Sequence, residues 1–218
     1  MIIGLVGFIG SGKDTVASKF ISYGCTKDSF AAPLKDTCAA IFGWPRELLE
    51  GDTVESREFR ETPDMFWTRK LGIDNFTPRL ALQLVGTDVL RNHFSKDIWL
   101  NSLEYRIRTR RDTGDCVIIS DVRFKNELEL IKDLNGTVIW VQRGELPLWY
   151  DDAVKANEGN AISRKIMQTR WRDVHESEWN WVGTPVDFVI NNNGTLEELD
   201  IVVSNIQKSL SKTHLASV

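Results

Sequence analysis

The chain has 218 residues, 42% of them hydrophobic and 27% charged, with a formal net charge of −4; such a balance belongs to a globular chain long enough to bury roughly 70% of its unfolded surface without staples. It contains no Gly/Ser/Pro-rich tract, no repeat and no apolar run of bilayer length, which argues against a disordered chain, a solenoid and a membrane protein. Its acidic balance argues against a broad nucleic-acid-binding surface and favours small-molecule chemistry.

Taken in chain order, Ile2 to Val6 is a short apolar run ending at a glycine, the pattern of a strand covered on both faces. Gly7 to Thr15 follows, and Val16, Ala17, Phe20 and Ile21 then recur at helical spacing. From there to about residue 112 the chain reads as a long helical section, with helix starts at Pro33, at Thr77-Pro78 and at Asp97. Cys116 to Ser120 is a second strand, followed by Asp121-Val122-Arg123 and a helix marked by Leu128, Ile131 and Leu134. A third strand covers Thr137 to Gln142. Gly144 and Pro147 then open a stretch to about residue 182 in which no strand of the central sheet is expected. A fourth strand, Val186 to Ile190, precedes a helix whose Thr195-x-x-Glu198 start reads as a capping box. Strands alternating with helices predict one α/β domain with a mainly parallel, three-layer sheet. The stretch 144–182 is expected to be either a mobile insertion over the site or a fixed surface subdomain.

Cys25, Cys38 and Cys116 are odd in number and lack a C-x-x-C pair, so reduced interior thiols are expected rather than a disulfide framework or a zinc site. His93, His175 and His214 are equally scattered. The N-terminal segment carries no basic leader or cleavage site, which predicts a cytoplasmic protein, in the host cytoplasm if the source is viral.

The chemistry concentrates at Gly7, Gly10, Ser11, Gly12, Lys13, Asp14 and Thr15. Phosphates need backbone N–H donors pointed inward together, which a tight glycine turn at a helix N-terminus supplies, and Lys13 would reach the β- and γ-phosphates as a point charge. The segment departs once from G-x-x-x-x-G-K-[ST], because Asp14 stands where a magnesium-binding hydroxyl is usual and Thr15 comes one place later. Asp14 through a metal-bound water, Thr15 in the hydroxyl's place, and Asp121 at the end of the second strand are the candidate magnesium ligands. Asp121 could also act on the acceptor, and Arg123 could bridge donor and acceptor phosphates; an ion pair or helix cap built from Asp121, Asn126 and Glu127 is the alternative. On the helix from Pro78, Arg79, Gln83, Thr87 and Arg91 fall four residues apart, among Leu80, Ala81, Leu82, Leu84, Val85, Val89 and Leu90. So apolar a helix is expected to be substantially buried, with its polar ridge facing a phosphate or base edge, or with Asp88 as an internal partner. Lys35 is a candidate for an anionic acceptor, or a solvated lysine. Arg164, Lys165, Arg170 and Arg172 are either lid residues closing over the transferring phosphoryl group or an ordinary charged face.

Gly10 to Thr15 (Gly-Ser-Gly-Lys-Asp-Thr), Ala32-Pro33-Leu34-Lys35-Asp36, Gln83-x-x-Gly86-Thr87-Asp88, Asp121 to Glu127, His175-Glu176-Ser177-Glu178 and Asn193 to Leu199 occur in an order that resembles the bacteriophage deoxynucleoside monophosphate kinases. The resemblance implies an adenylate-kinase-like P-loop fold, with a helical monophosphate-binding section at about 31–112 and a lid insertion at about 144–182. It implies ATP and magnesium as donor complex and cofactor, and a deoxynucleoside 5′-monophosphate as acceptor. Lys13, Arg123 and Asp121 are then catalytic, and Arg143 contacts the donor. Arg79, Gln83 and Asp88 bind the monophosphate and its base, with Lys35 and Thr87 as further candidates from the residues themselves, while His175 and Glu178 either pair with lid arginines or help a segment pack. Dephospho-coenzyme A kinase and P-loop phosphomevalonate kinase share much of the outline, and a nucleotide-dependent switch is the non-kinase alternative. A homodimer stands open beside a monomer.

Overall fold

The computed structural model describes residues 1–109 and 116–215. In chain order the elements are β1 (Ile2–Val6), α1 (Lys13–Ser22), β2 (Cys25–Asp28), α2 (Ala32–Phe42), a 3-10 turn (Arg46–Leu49), α3 (Val54–Glu61), α4 (Met65–Leu71), α5 (Pro78–Gln83), a π-helical stretch (Leu84–Phe94) and α6 (Ile98–Thr109). They continue as β3 (Cys116–Ile119), α7 (Lys125–Asp133), β4 (Thr137–Gln142), α8 (Tyr150–Asn157), α9 (Ala161–Thr169), α10 (Glu176–Trp179), β5 (Phe188–Asn191) and α11 (Leu196–Leu215). Contacts divide the chain into two compact units, Met1–Ser29 with Arg110–Val218, and Phe30–Thr109.

The first unit is built on a five-stranded, wholly parallel sheet in the order β2-β3-β1-β4-β5. Ile3, Leu5, Val6, Ile118, Ile119, Val138, Ile139 and Val141 are buried, because both faces of the sheet are covered. On one face Val16, Ala17 and Phe20 of α1 join Leu199, Val203 and Ile206 of α11 in a single apolar cluster with the strands. On the other, α7 approaches so closely that a Cβ on Gly4 would lie 2.3 Å from Ile131 Cδ1. Helix, sheet and helix make the three layers of the expected P-loop α/β architecture. Helix α11 opens with the predicted box, Glu198 Oε2 accepting from the Thr195 amide at 2.8 Å and Thr195 Oγ1 accepting from the Glu198 amide at 3.2 Å.

Two expectations need correction here. Strand β2 lies inside the section read as purely helical; it is a sheet edge, and of Cys25-Thr26-Lys27-Asp28 only Cys25 is buried, so no apolar run marks it. Cys25 and Cys116 are directly paired across β2 and β3 and form a disulfide, whereas Cys38 is a free, buried thiol. Sequence spacing could not reveal this pairing, because a separation of 91 residues becomes adjacency only once the two strands are in register.

The helical unit has its own core of Cys38, Trp44, Leu49, Phe76 and Ala81, with the Phe42 and Trp44 rings stacked at 4.5 Å. Thr77 caps α5 as expected, its Oγ1 accepting from the Leu80 amide at 3.1 Å. The helix then widens into the π-helical stretch, and the 3.6-residue period behind the polar ridge no longer holds. Arg79, Gln83, Thr87, Asp88 and Val89 are exposed, so this helix is not the substantially buried one expected. Gly86 sits at the close approach, where a Cβ would meet Leu34 Cδ2 at 2.5 Å, and its carbonyl accepts from Trp99 Nε1 at 3.1 Å. Among the described residues no helix is long and apolar enough to cross a membrane.

Candidate functional site

The turn between β1 and α1 is held by contacts that a side chain would break. A Cβ on Gly7 would lie 2.3 Å from the Val141 carbonyl oxygen, and Gly12 combines φ 91° with an approach of 2.3 Å to Asn192 Nδ2. That amide donates to the Ser11 carbonyl at 2.8 Å, and the Ser11 amide closes the turn on the Phe8 carbonyl at 3.2 Å. The Ser11 hydroxyl is buried without a hydrogen-bond partner. Buried hydroxyls are ordinarily satisfied, so this one is a polar group that a ligand oxygen would complete.

Lys13 curls back over the turn, Nζ donating to the carbonyls of Gly7 at 2.7 Å and Phe8 at 3.0 Å. Burial, then the nearby Arg123 guanidinium, lower its pKa to about 8, against the opposing pull of Glu178 and Asp14. An ammonium held this way is electrostatically under-compensated and would gain from a phosphate's charge.

At the carboxyl end of β3, Ser120 Oγ donates to Asp14 Oδ1 at 3.2 Å, and Lys27 Nζ lies 3.7 Å from the same oxygen. Asp14 thus faces the strand end, and Thr15, the next residue of the same first turn of α1, is exposed. Asp121 is half-buried beside them in sequence, and Arg123 is exposed. The cap on α7 comes from Glu127, whose Oε2 accepts from the amides of Arg123 at 2.7 Å and Phe124 at 3.1 Å. That bond fixes the backbone of Arg123 and leaves its guanidinium directed elsewhere: Nη1 donates to Glu178 Oε1 at 3.1 Å. The other oxygen of Glu178 accepts from the Ile9 amide at 3.1 Å. Glu178 therefore meets Arg123 and the glycine turn, not the arginines of the 144–182 stretch. His175 caps the short α10, its Nδ1 accepting from the Ser177 amide at 3.2 Å.

Phe8 anchors the turn from the other side. Its ring lies 5.3 Å from Trp149, 5.0 Å from Trp181, 6.3 Å from Trp140 and 6.4 Å from Tyr150. Lys13, Asp14, Ser120, Arg123 and the turn amides thus gather at the carboxyl ends of β1 and β3, where parallel sheets collect ligands.

Arg143 is exposed directly after β4. Arg164 Nη2 donates to the Ala156 carbonyl at 3.2 Å, Arg170 lies 4.7 Å over the ring of Trp171, and Arg172 is 3.9 Å from Asp173. Within the helical unit, Lys35 Nζ pairs with Glu50 at 2.5 Å, Arg79 pairs with Glu61, and Gln83, Thr87 and Asp88 are exposed. Sequence reading missed Asn192 and Ser120 as parts of the site, the Asn191-Asn192-Asn193 run after a strand being the available signal for the first, whereas the helix cap that it offered as an alternative is made by Glu127. Among the described residues no group of three His, Cys, Asp or Glu is assembled to hold a metal on its own. Oxygen donors at Asp14 and Ser120 suit a hard cation that keeps several waters and nucleotide oxygens as ligands.

Residues 47–159 match the family model described as deoxynucleotide monophosphate kinase. A protein of Acanthamoeba polyphaga mimivirus, provisionally named a deoxynucleotide monophosphate kinase, is 40% identical over 153 residues, covering 66% of this chain and 74% of the viral one. The deoxynucleoside-5′-monophosphate kinase of Escherichia phage T5 is 30% identical over 187 residues, covering 62% of this chain and 73% of its own length. Among solved structures, the dephospho-CoA kinase of Campylobacter jejuni aligns over 98% of both chains at 14% identity with a TM-score of 0.47.

Proposed function

This chain belongs to the deoxynucleotide monophosphate kinase family, and from that membership we infer that it phosphorylates deoxynucleoside 5′-monophosphates to diphosphates, with ATP as donor at the glycine turn. The observation that carries the donor assignment is the convergence of Lys13, the Ile9 amide, the unsatisfied Ser11 hydroxyl and Arg123 at one end of the sheet. Each is a donor or a cation, and together they form a preorganised anion site.

Phosphoryl transfer asks mainly for positioning and for charge to be stabilised on the oxygens of the transferring group. The turn amides and Ser11 orient the β- and γ-phosphates, and Lys13 leaves its two carbonyl partners to meet them. Arg123, whose backbone is fixed by Glu127, contacts the group in flight. Magnesium, held with Asp14 and hydrogen-bonded Ser120 beside it, would neutralise phosphate charge. Asp121 and Thr15 complete the candidate metal-side groups, and Arg143 is a candidate contact of the donor nucleotide. The helical unit Phe30–Thr109 receives the monophosphate, with Lys35, Arg79, Gln83, Thr87 and Asp88 as its binding candidates. The stretch 144–182 acts as the lid, through Arg164, Arg170 and Arg172.

The test is a coupled assay of ADP formation with ATP, magnesium and each common ribo- and deoxyribonucleoside monophosphate, with dephospho-coenzyme A and phosphomevalonate as alternative acceptors. Turnover is expected with deoxynucleoside monophosphates and not with dephospho-coenzyme A or phosphomevalonate, and Lys13→Ala should lower kcat by about 100-fold or more. ATP hydrolysis indifferent to every monophosphate would favour a switch, and full activity in Lys13→Ala would sink the donor assignment.

A further inference from the structure

The anion site just described already contains an anion, and it is part of the protein. Glu178 places one carboxylate oxygen 3.1 Å from the Ile9 amide and the other 3.1 Å from Arg123 Nη1, with its side chain only 16% exposed. These are two of the donors assigned to nucleotide phosphates. Building on that assignment, we propose that Glu178 is a tethered stand-in for a phosphate group: it holds Arg123 and the turn in their working arrangement while no nucleotide is bound, and the incoming triphosphate must displace it.

Lys13 Nζ is held on the carbonyls of Gly7 and Phe8, next to Ile9, and Arg123 reaches the Ile9 amide through Glu178, so two cations gather at one turn and a local anion offsets their repulsion. Glu178 supplies that anion. Once a triphosphate enters, the same carboxylate sits among phosphate oxygens, and like charges at such distances disfavour its staying. A purely structural ion pair accounts for less: a pair as exposed as Arg123 contributes little to stability, and it would not need a bond to an amide of the turn. Glu178 is thus a positioning residue that trades affinity for order, and Arg123 passes from its carboxylate to the nucleotide.

The experiment measures binding of inorganic tripolyphosphate and of adenosine, separately, by calorimetry on the full chain, for wild type, Glu178→Gln, Glu178→Ala and Lys13→Ala. Removing the competing charge should tighten tripolyphosphate binding about tenfold in both Glu178 variants, the change that 1.4 kcal/mol brings about, and leave adenosine binding where it was. In turnover, KM for ATP should fall while kcat falls as well, because Arg123 has lost the partner that held it ready. Unchanged or weaker tripolyphosphate binding in both Glu178 variants, with wild type binding it and Lys13→Ala not, would overturn this proposal alone. Failure of wild type to bind tripolyphosphate, or equal binding by Lys13→Ala, would overturn the donor assignment and this proposal with it. The Gln variant keeps the side chain's shape, so a folding defect confined to the Ala variant leaves the comparison intact.

Discussion

Ser120 donates a hydrogen bond to Asp14 at 3.2 Å, tying the first turn of α1 to the carboxyl end of the neighbouring strand β3. The residue that departs from the glycine-lysine motif is therefore aimed at the carboxyl end of β3, where the magnesium is proposed to bind. Lys27, 3.7 Å from the same oxygen, offsets the carboxylate's charge in the meantime. Asp14→Ala should weaken magnesium-nucleotide binding about tenfold, and Thr15→Ala, altering an exposed hydroxyl, should weaken it much less. Manganese titration of each variant by electron paramagnetic resonance reads the difference directly. Equal, unchanged affinity in both variants would remove either residue from the metal site.

Lys13 gives a pH dependence with a defined sign. Its folded pKa is about 8 against an ordinary 10.5. Below pH 8 the lysine is charged in folded and unfolded chains alike; between 8 and 10.5 only the unfolded chain keeps its proton, so this residue favours folding more as pH rises through that window. Binding runs the other way, since phosphates need the ammonium. The basic limb of kcat/KM, which reports the free enzyme, should fall near pH 8, and that of kcat should lie higher, because bound phosphates favour the charged lysine. Coincident limbs in the two profiles would contradict this.

The two crowded glycines should fail differently. Alanine at Gly7 would press on the Val141 carbonyl, part of the β1–β4 framework, and should cost about 1–3 kcal/mol or more of stability. Alanine at Gly12 meets only the mobile end of Asn192, but it must adopt a left-handed backbone and displaces the Asn192 bond to Ser11. Urea denaturation should therefore single out Gly7→Ala, while nucleotide titration of the folded protein should single out Gly12→Ala.

The cysteines offer a chemical count. With Cys25 and Cys116 joined, the protein unfolded without reductant should expose one reactive thiol, Cys38, and native protein should react slowly there, because burial pushes that thiol up to about 11. Reduction should lower stability by about 2–4 kcal/mol, seen as a lower Tm under dithiothreitol. Three thiols in the unreduced, unfolded chain would contradict the disulfide.

Much of the frame was legible because burial leaves a simple trace. Strands β1, β3 and β4 are covered on both faces, so they read as apolar runs, and the glycine turn between β1 and α1 carries its own spacing. What escaped lay where one residue's meaning depends on a distant partner. Edge strand β2 exposes Thr26 and Lys27 and so resembles a loop. The ridge on the helix from Pro78 was projected with a constant 3.6-residue period that the π-helical stretch from Leu84 breaks. Glu178 was picked out by its motif, yet its partners, Ile9 and Arg123, lie 169 and 55 residues away.

The ring of Phe8 bears on how this protein can change over time. Trp149 and Tyr150 touch it where the 144–182 stretch leaves the sheet unit, and Trp181 touches it where that stretch returns. Both feet of the excursion thus stand on a single side chain. A segment whose ends are pinned together can be lengthened, shortened or exchanged at small entropic cost, since closing a longer loop grows more unfavourable only slowly. Between Tyr150 and His175 the chain is therefore a replaceable cassette, provided that Glu178, which bonds the Ile9 amide, and Trp181 stay where they are.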